Sequence, residues 1–200
     1  MNFLAHIYLS GNNKLISIGN FVADGIRGKN YRTYPKEMQI GILLHREIDT
    51  FTDAHHIFRQ STKRLHQNYG HYSGVIVDIF YDHFLAKNWE SYSDIPLAKF
   101  VDDFYQTLNA NFDMLPERFK RLTPIMIKGN WLFNYATIDG IQSVLNGMNN
   151  RTNGKSKMNE ATNELRTYYS EFEKEFTAFF DELIAFSKIK QTEIEKQYSI

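Results

Sequence analysis

The segment from Met158 to Phe186, MNEATNELRTYYSEFEKEFTAFFDELIAF, decides the fold class. Its apolar members Met158, Ala161, Leu165, Tyr168, Phe172, Phe176, Phe179, Leu183 and Phe186 are spaced 3, 4, 3, 4, 4, 3, 4 and 3 residues apart. That period keeps one stripe on one side of an α-helix, with Glu, Lys and Thr on the others. The stripe predicts a long C-terminal helix packed on a helical bundle, in preference to a helix paired with a second subunit. Strand-like alternation is nearly absent elsewhere. Val75 to Tyr81 has the β-branched start of a buried strand, but the apolar run continues to Trp89 without a turn signal, which favours a helix. The expectation is an all-α protein.

Working outward, the punctuation is that of helices. Asn12 and Asn13 are placed to cap a helix from Lys14 toward Ala23, and Pro35, Pro96 and Pro116 to open others at their first helical position. Met38, Ile42, His45 and Asp49 then share a face, and Thr52 or Asp53 is placed to cap the next helix, which carries Ile57 and Leu65. Gly70 to Gly74 reads as a connector and Asn149 to Asn159 as a loop. No Pro/Gly/Ser-rich linker or internal repeat divides the chain, so residues 1–200 are expected to form one domain.

The composition is globular: 42% of residues are hydrophobic and 23% charged, and 30 aromatic rings supply core bulk. Lys+Arg and Asp+Glu both number 23, and this balance argues against a general nucleic-acid binder, which needs a basic excess to displace counterions. With no cysteine, disulfides, thiol catalysis and zinc–thiolate sites are excluded. The start of the chain lacks a basic signal-peptide region and no apolar run is long enough to cross a bilayer, so a soluble, cytoplasmic protein is expected.

Chemistry is suggested where polar residues sit in apolar company. Gly74 to Ala86, GVIVDIFYDHFLA, is apolar on nearly every side of a helix and yet carries Asp78, Asp82 and His83. A buried carboxylate needs a cation, a metal or a hydrogen-bond network, because leaving it unpaired costs several kcal/mol or neutralises it. Asp78 and Asp82 are one turn apart. A second stretch, Gly41 to His55, sets His45 one turn before Asp49, with Asp53 and His55 just beyond; an imidazole and a carboxylate so spaced can offer two ligands to one ion. Asp24 also lies between apolar neighbours. Nitrogen and oxygen donors without sulfur suit Mn2+, Mg2+ or Fe2+, with Zn2+ also open. The bland alternative is that these are satisfied core pairs that only hold the fold. His66 and His71 read as surface residues. No G-x-S-x-G elbow or glycine-rich nucleotide loop is present.

Four motifs carry a family resemblance: Met1-Asn-Phe-Leu-Ala-His6, Gly19-Asn-Phe-Val-Ala-Asp24, Leu44 to His55 (LHREIDTFTDAH), and Tyr81-Asp-His-Phe-Leu-Ala86. In order and spacing they resemble the acyl carrier protein phosphodiesterases, and a weaker Trp131…Tyr135…Gly140-Ile141…Arg151 pattern extends the likeness. The resemblance implies an HD-like helical fold and a metal-dependent hydrolase, manganese favoured, that removes the 4′-phosphopantetheine arm from holo-acyl carrier protein. The usual adjacent His-Asp order of HD enzymes is reversed here in Asp82-His83, and His56 stands where the family tends to have proline. With the two clusters, it implies that Asp24, His45, Asp49, Asp78 and Asp82 meet at one or two divalent ions, with Asp24, His45 and Asp78 as the leading ligands. His6, His55 and His83, with Asp53, are then the candidates for supporting the ligands or moving protons, since a departing serine alkoxide needs one. A nucleotide or another small phosphoester is the alternative substrate.

From Gly25 to Lys36 the chain carries Arg27, Lys29, Arg32 and Lys36 and no acid. A solvated loop is the plain reading. Because the run directly follows Asp24, it is also expected to sit at the mouth of the site and to steer an acidic partner such as acyl carrier protein, with Tyr31 and Tyr34 adding contact area.

Overall fold

The computed structural model describes residues 1–199. Eleven α-helices joined by short 3-10 turns account for the architecture, and no strand occurs among the described residues. They are α1 (Phe3–Tyr8), α2 (Lys14–Val22), α3 (Lys36–Ala54), α4 (His56–Tyr69), α5 (Ser73–Lys87), α6 (Leu97–Ala110), α7 (Glu117–Lys128), α8 (Trp131–Asn134), α9 (Ile138–Arg151), α10 (Thr162–Thr167) and α11 (Tyr169–Gln197). The all-α expectation, with a long C-terminal helix, holds. One continuous core runs from Met1 to Ile194.

The ambiguous Val75 segment lies within α5, the central helix. α1, α4, α9 and α11 all pack on it, which explains why it has almost no polar face. The C-terminal stripe is broken where a single helix was expected. Met158 lies in a 3-10 turn, Leu165 in α10, and Tyr168 leaves the helical region at φ −113°, ψ 32° before α11 begins. The period survives the break because both pieces lay their apolar side on the same core.

Caps also moved. Asn13 caps α2 as expected, accepting from the Leu15 and Ile16 N–H groups at 3.0 and 3.1 Å. Pro35, Pro96 and Pro116 sit one position earlier than expected, at the caps of α3, α6 and α7. α3 runs straight through Thr52 and Asp53, and His55 caps α4 instead by accepting from the Ile57 N–H.

Two glycines bring α2 and α3 to backbone contact. A Cβ at Gly41 would lie 2.0 Å from the Ile16 carbonyl oxygen, and one at Gly19 2.2 Å from that of Met38. No larger residue permits this approach. It sets the end of α2, and Asp24 just beyond it, beside the middle of α3, where His45 and Asp49 project.

Candidate active site

α1 places His6 where α2 and α3 meet. The His6 imidazole is buried, and its Nδ1 lies 2.7 Å from Asn20 Oδ1 on α2. The direction of that bond follows from its neighbours. The Ser10 hydroxyl donates to the His6 carbonyl at 2.8 Å, so it must accept from the Asn20 amide nitrogen at 2.9 Å, which leaves Asn20 Oδ1 facing His6. Nδ1 therefore carries the proton and Nε2 presents a lone pair. That lone pair faces the Met1 carbonyl oxygen at 3.1 Å and Asp49 Oδ1 at 3.3 Å.

His45, from the neighbouring turn of α3, stacks on His6. Its Nε2 lies 3.1 Å from Asp49 Oδ2 and 3.3 Å from Asp24 Oδ1, while its Nδ1 is buried with no partner among the described residues. Burial alone would push the His45 imidazole down, but hydrogen bonds to Asp24 and Asp49 hold it at about 9. His6 moves the opposite way, down to about 4, through burial and the neighbouring His45 charge. Although burial opposes it, the hydrogen bond from the His45 imidazolium and the charge of the Met1 amino group hold Asp49 well below the usual carboxylate range.

One ligand atom each from His6, His45 and Asp49 falls within 4.8 Å of the others. The donor set suits a divalent cation of borderline hardness. The strongest sign is His6 Nε2, a lone pair set against two oxygens, an arrangement relieved by a cation between them. The Asn20 carbonyl that fixes its tautomer is the usual support for a metal-binding histidine.

The sequence-predicted residues divide accordingly. Asp24, His45 and Asp49 come together. Asp24 and Asp49 are more open than their neighbours suggested, with side chains 58% and 41% exposed, so they lie on the rim. Asp78 adjoins the group indirectly: its Oδ1 forms an ion pair with the Met1 amino group at 2.9 Å, and Asp49 Oδ1 is 3.7 Å from the same nitrogen. Asp82 is not brought to the centre with them. Its two oxygens accept the Leu4 and Ala5 N–H groups at 2.8 and 3.1 Å, so this buried carboxylate anchors the start of α1.

His83 and His55 are likewise engaged elsewhere. His83 Nδ1 donates to the Tyr135 carbonyl and Nε2 accepts from the Tyr169 hydroxyl, both at 2.8 Å. His55 packs against Phe51 and Phe179, with Nε2 3.2 Å from Glu182. Asp53 is exposed one turn beyond Asp49 on α3. Arg27, Lys29, Arg32 and Lys36 are all exposed on the segment after Asp24, which Arg46 ties down by donating to the Ile26 and Gly28 carbonyls. The sequence reading cast His6 in a supporting role, whereas the fold puts it at the heart of the cluster. Its ring pairs with Asn20, fourteen residues away on another helix, so spacing along the chain carried no signal of it.

The fold and site thus define a helical protein with a histidine–carboxylate centre, open on its acidic rim, at the junction of three helices. The sequence profile of acyl carrier protein phosphodiesterases matches residues 1–183. The acyl carrier protein phosphodiesterase of Klebsiella pneumoniae strain 342 is 33% identical over 199 residues, covering 96% of this chain and all of the relative. That of Pectobacterium atrosepticum is 30% identical over 192 residues, again 96% of this chain and all of the relative. No solved structure matches the chain. The chain belongs to the acyl carrier protein phosphodiesterase family and is a phosphodiester hydrolase.

Proposed function

We propose that this protein hydrolyses the phosphodiester between the 4′-phosphopantetheine arm and the carrier serine of holo-acyl carrier protein, giving apo-carrier and free 4′-phosphopantetheine, with a divalent ion, manganese first, at the His6–His45–Asp49 centre. The observation that carries the reading is the tautomer of His6, whose Nε2 lone pair faces Asp49 Oδ1 at 3.3 Å across a gap a cation would fill.

His6, His45 and Asp49 would hold the ion, and Asp24 would be placed to add an oxygen from the rim. A bound ion supplies Lewis acidity toward the phosphoryl oxygens and a water activated for attack on phosphorus. To ligate, His45 would have to be neutral, because imidazole binds a metal only without its second proton. Asp78 pairs with the Met1 amino group beside Asp49, and Asp82 holds α1, and with it His6, in register. The exposed Arg27, Lys29, Arg32 and Lys36 lie on the segment that follows Asp24, and their charge would favour an acidic protein substrate through long-range attraction.

Incubation with holo-acyl carrier protein, followed by mass measurement of the carrier, tests this directly. The expected outcome is loss of the whole arm including its phosphate, abolished by chelator and restored by manganese. Turnover of small phosphoesters with the holo-carrier left intact would favour the small-substrate alternative.

A further inference from the structure

A cleft opens from the rim between the start of α1 and helices α7, α8 and α9, and Asp24 lines both it and the centre. Its other walls carry two arginines, Arg118 on α7 and Arg151 at the end of α9. Both are exposed, and neither forms an ion pair among the described residues. Asp24 is already matched by His45, so the two guanidinium groups are left over as positive charge facing the cleft. A guanidinium presents a planar fork of donors that fits phosphoryl oxygens.

The remaining wall is mostly apolar, with Asn2, Ser143 and the Tyr135 hydroxyl as its polar groups. Trp131 lines the cleft, and so does Tyr135, whose ring is buried. The Tyr135 hydroxyl accepts from the Asn2 amide at 3.3 Å and donates to no group among the described residues, which leaves its proton for a ligand. Gly147 lines the same space, and a Cβ built there meets nothing within 4 Å. Gly147 is exposed, so a larger side chain there would meet no helix packing and could reach over the mouth of the cleft.

We propose that this cleft is the binding pocket for the arm: Arg118 and Arg151 take the phosphoryl oxygens, and Trp131 with the open Gly147 wall takes the branched aliphatic part next to the phosphate. The proposal rests on the reaction assigned above, since Asp24 joins the pocket to the centre. It assigns Arg118 and Arg151 as binding residues for the phosphate that stays with the arm.

Calorimetric titration with 4′-phosphopantetheine tests the pocket apart from the chemistry. The wild type should bind it. Arg118→Gln and Arg151→Gln should each weaken binding by about tenfold, the usual effect of losing one charged hydrogen bond. Pantetheine, which lacks the phosphate, should bind both variants and the wild type equally. Gly147→Leu should block the pocket with its melting temperature kept, because the substitution meets open space and removes a helix-interior glycine. Wild-type binding by Gly147→Leu, or no binding by the wild type, overturns the pocket. Should Gly147→Leu misfold, the exposed arginine variants still decide, and unchanged affinity in both overturns it. Binding as expected without hydrolysis of holo-carrier would sink the assigned reaction but not the pocket. Hydrolysis by Gly147→Leu with an unchanged KM would do the reverse.

Discussion

The imidazoles of His6 and His45 stack with centroids 4.0 Å apart and 20° between their planes, although one belongs to α1 and the other to α3. Two cationic rings would repel at that distance, and the surroundings keep them in opposite states: His6 down to about 4, His45 up to about 9. The pair is a neutral lone-pair donor lying on an imidazolium, and removing the His45 proton yields two nitrogen ligands side by side.

An ion held there stabilises only the folded chain. Manganese at a hundredfold excess over its dissociation constant should add about 2.7 kcal/mol. For a chain of this size that is a rise in melting temperature of about 5–10 °C. His45→Ala and His6→Ala should lose the rise, as read by scanning calorimetry with and without chelator. The same rise in the His45→Ala protein would show that the ion sits elsewhere.

The contact between α2 and α3 should tolerate no side chain at Gly41. A methyl 2.0 Å from the Ile16 carbonyl forces the helices apart, and overpacking of this kind costs roughly 1–3 kcal/mol. Because the shift would move Asp24 away from His45, Gly41→Ala should lose manganese affinity along with stability. Urea unfolding and metal titration of one preparation check both; loss of neither would mean that the helices part without strain.

Asp82 carries a pH signature. Burial pushes its carboxyl up to about 7, against the pull of the Leu4 and Ala5 N–H groups. An unfolded aspartate titrates near about 3.9. The folded state therefore keeps a proton that the unfolded chain has released, so this contribution is fully present below about pH 4 and is lost as pH rises toward about 7. Asp82→Asn has no such proton. Wild-type stability should thus fall relative to the variant across that window, measured by urea unfolding at several pH values. A gap between the two proteins that is constant with pH would refute the raised carboxyl.

The basic segment should act on encounter rather than chemistry. Arg27→Glu with Arg32→Glu should raise KM for holo-acyl carrier protein, most strongly at low salt where screening is weakest, while kcat for a small phosphodiester is unchanged. Steady-state kinetics at two ionic strengths separate the cases. Equal effects on both substrates, or on neither, would remove the docking role.

What could be read along the chain were the properties set by near neighbours. The stripe from Met158 to Phe186 gave the helix class because side chains three and four residues apart share a face whatever they pack on. His45 with Asp49 was legible for the same reason. The apolar run around Asp78 and Asp82 announced a buried helix with carboxylates that must find partners, but not which partners. That choice was made at long range. Asp82 meets Leu4 and Ala5 because α1 crosses α5, His6 meets Asn20 because α1 packs on α2, and Asp24 meets His45 because Gly19 and Gly41 let the α2 and α3 backbones touch. The break at Tyr168 was likewise hidden, since two helices on one core keep the period of a single helix. Spacing along a chain fixes which residues can share a face; which faces meet depends on how closely the backbones approach, and that is settled only when the whole core packs.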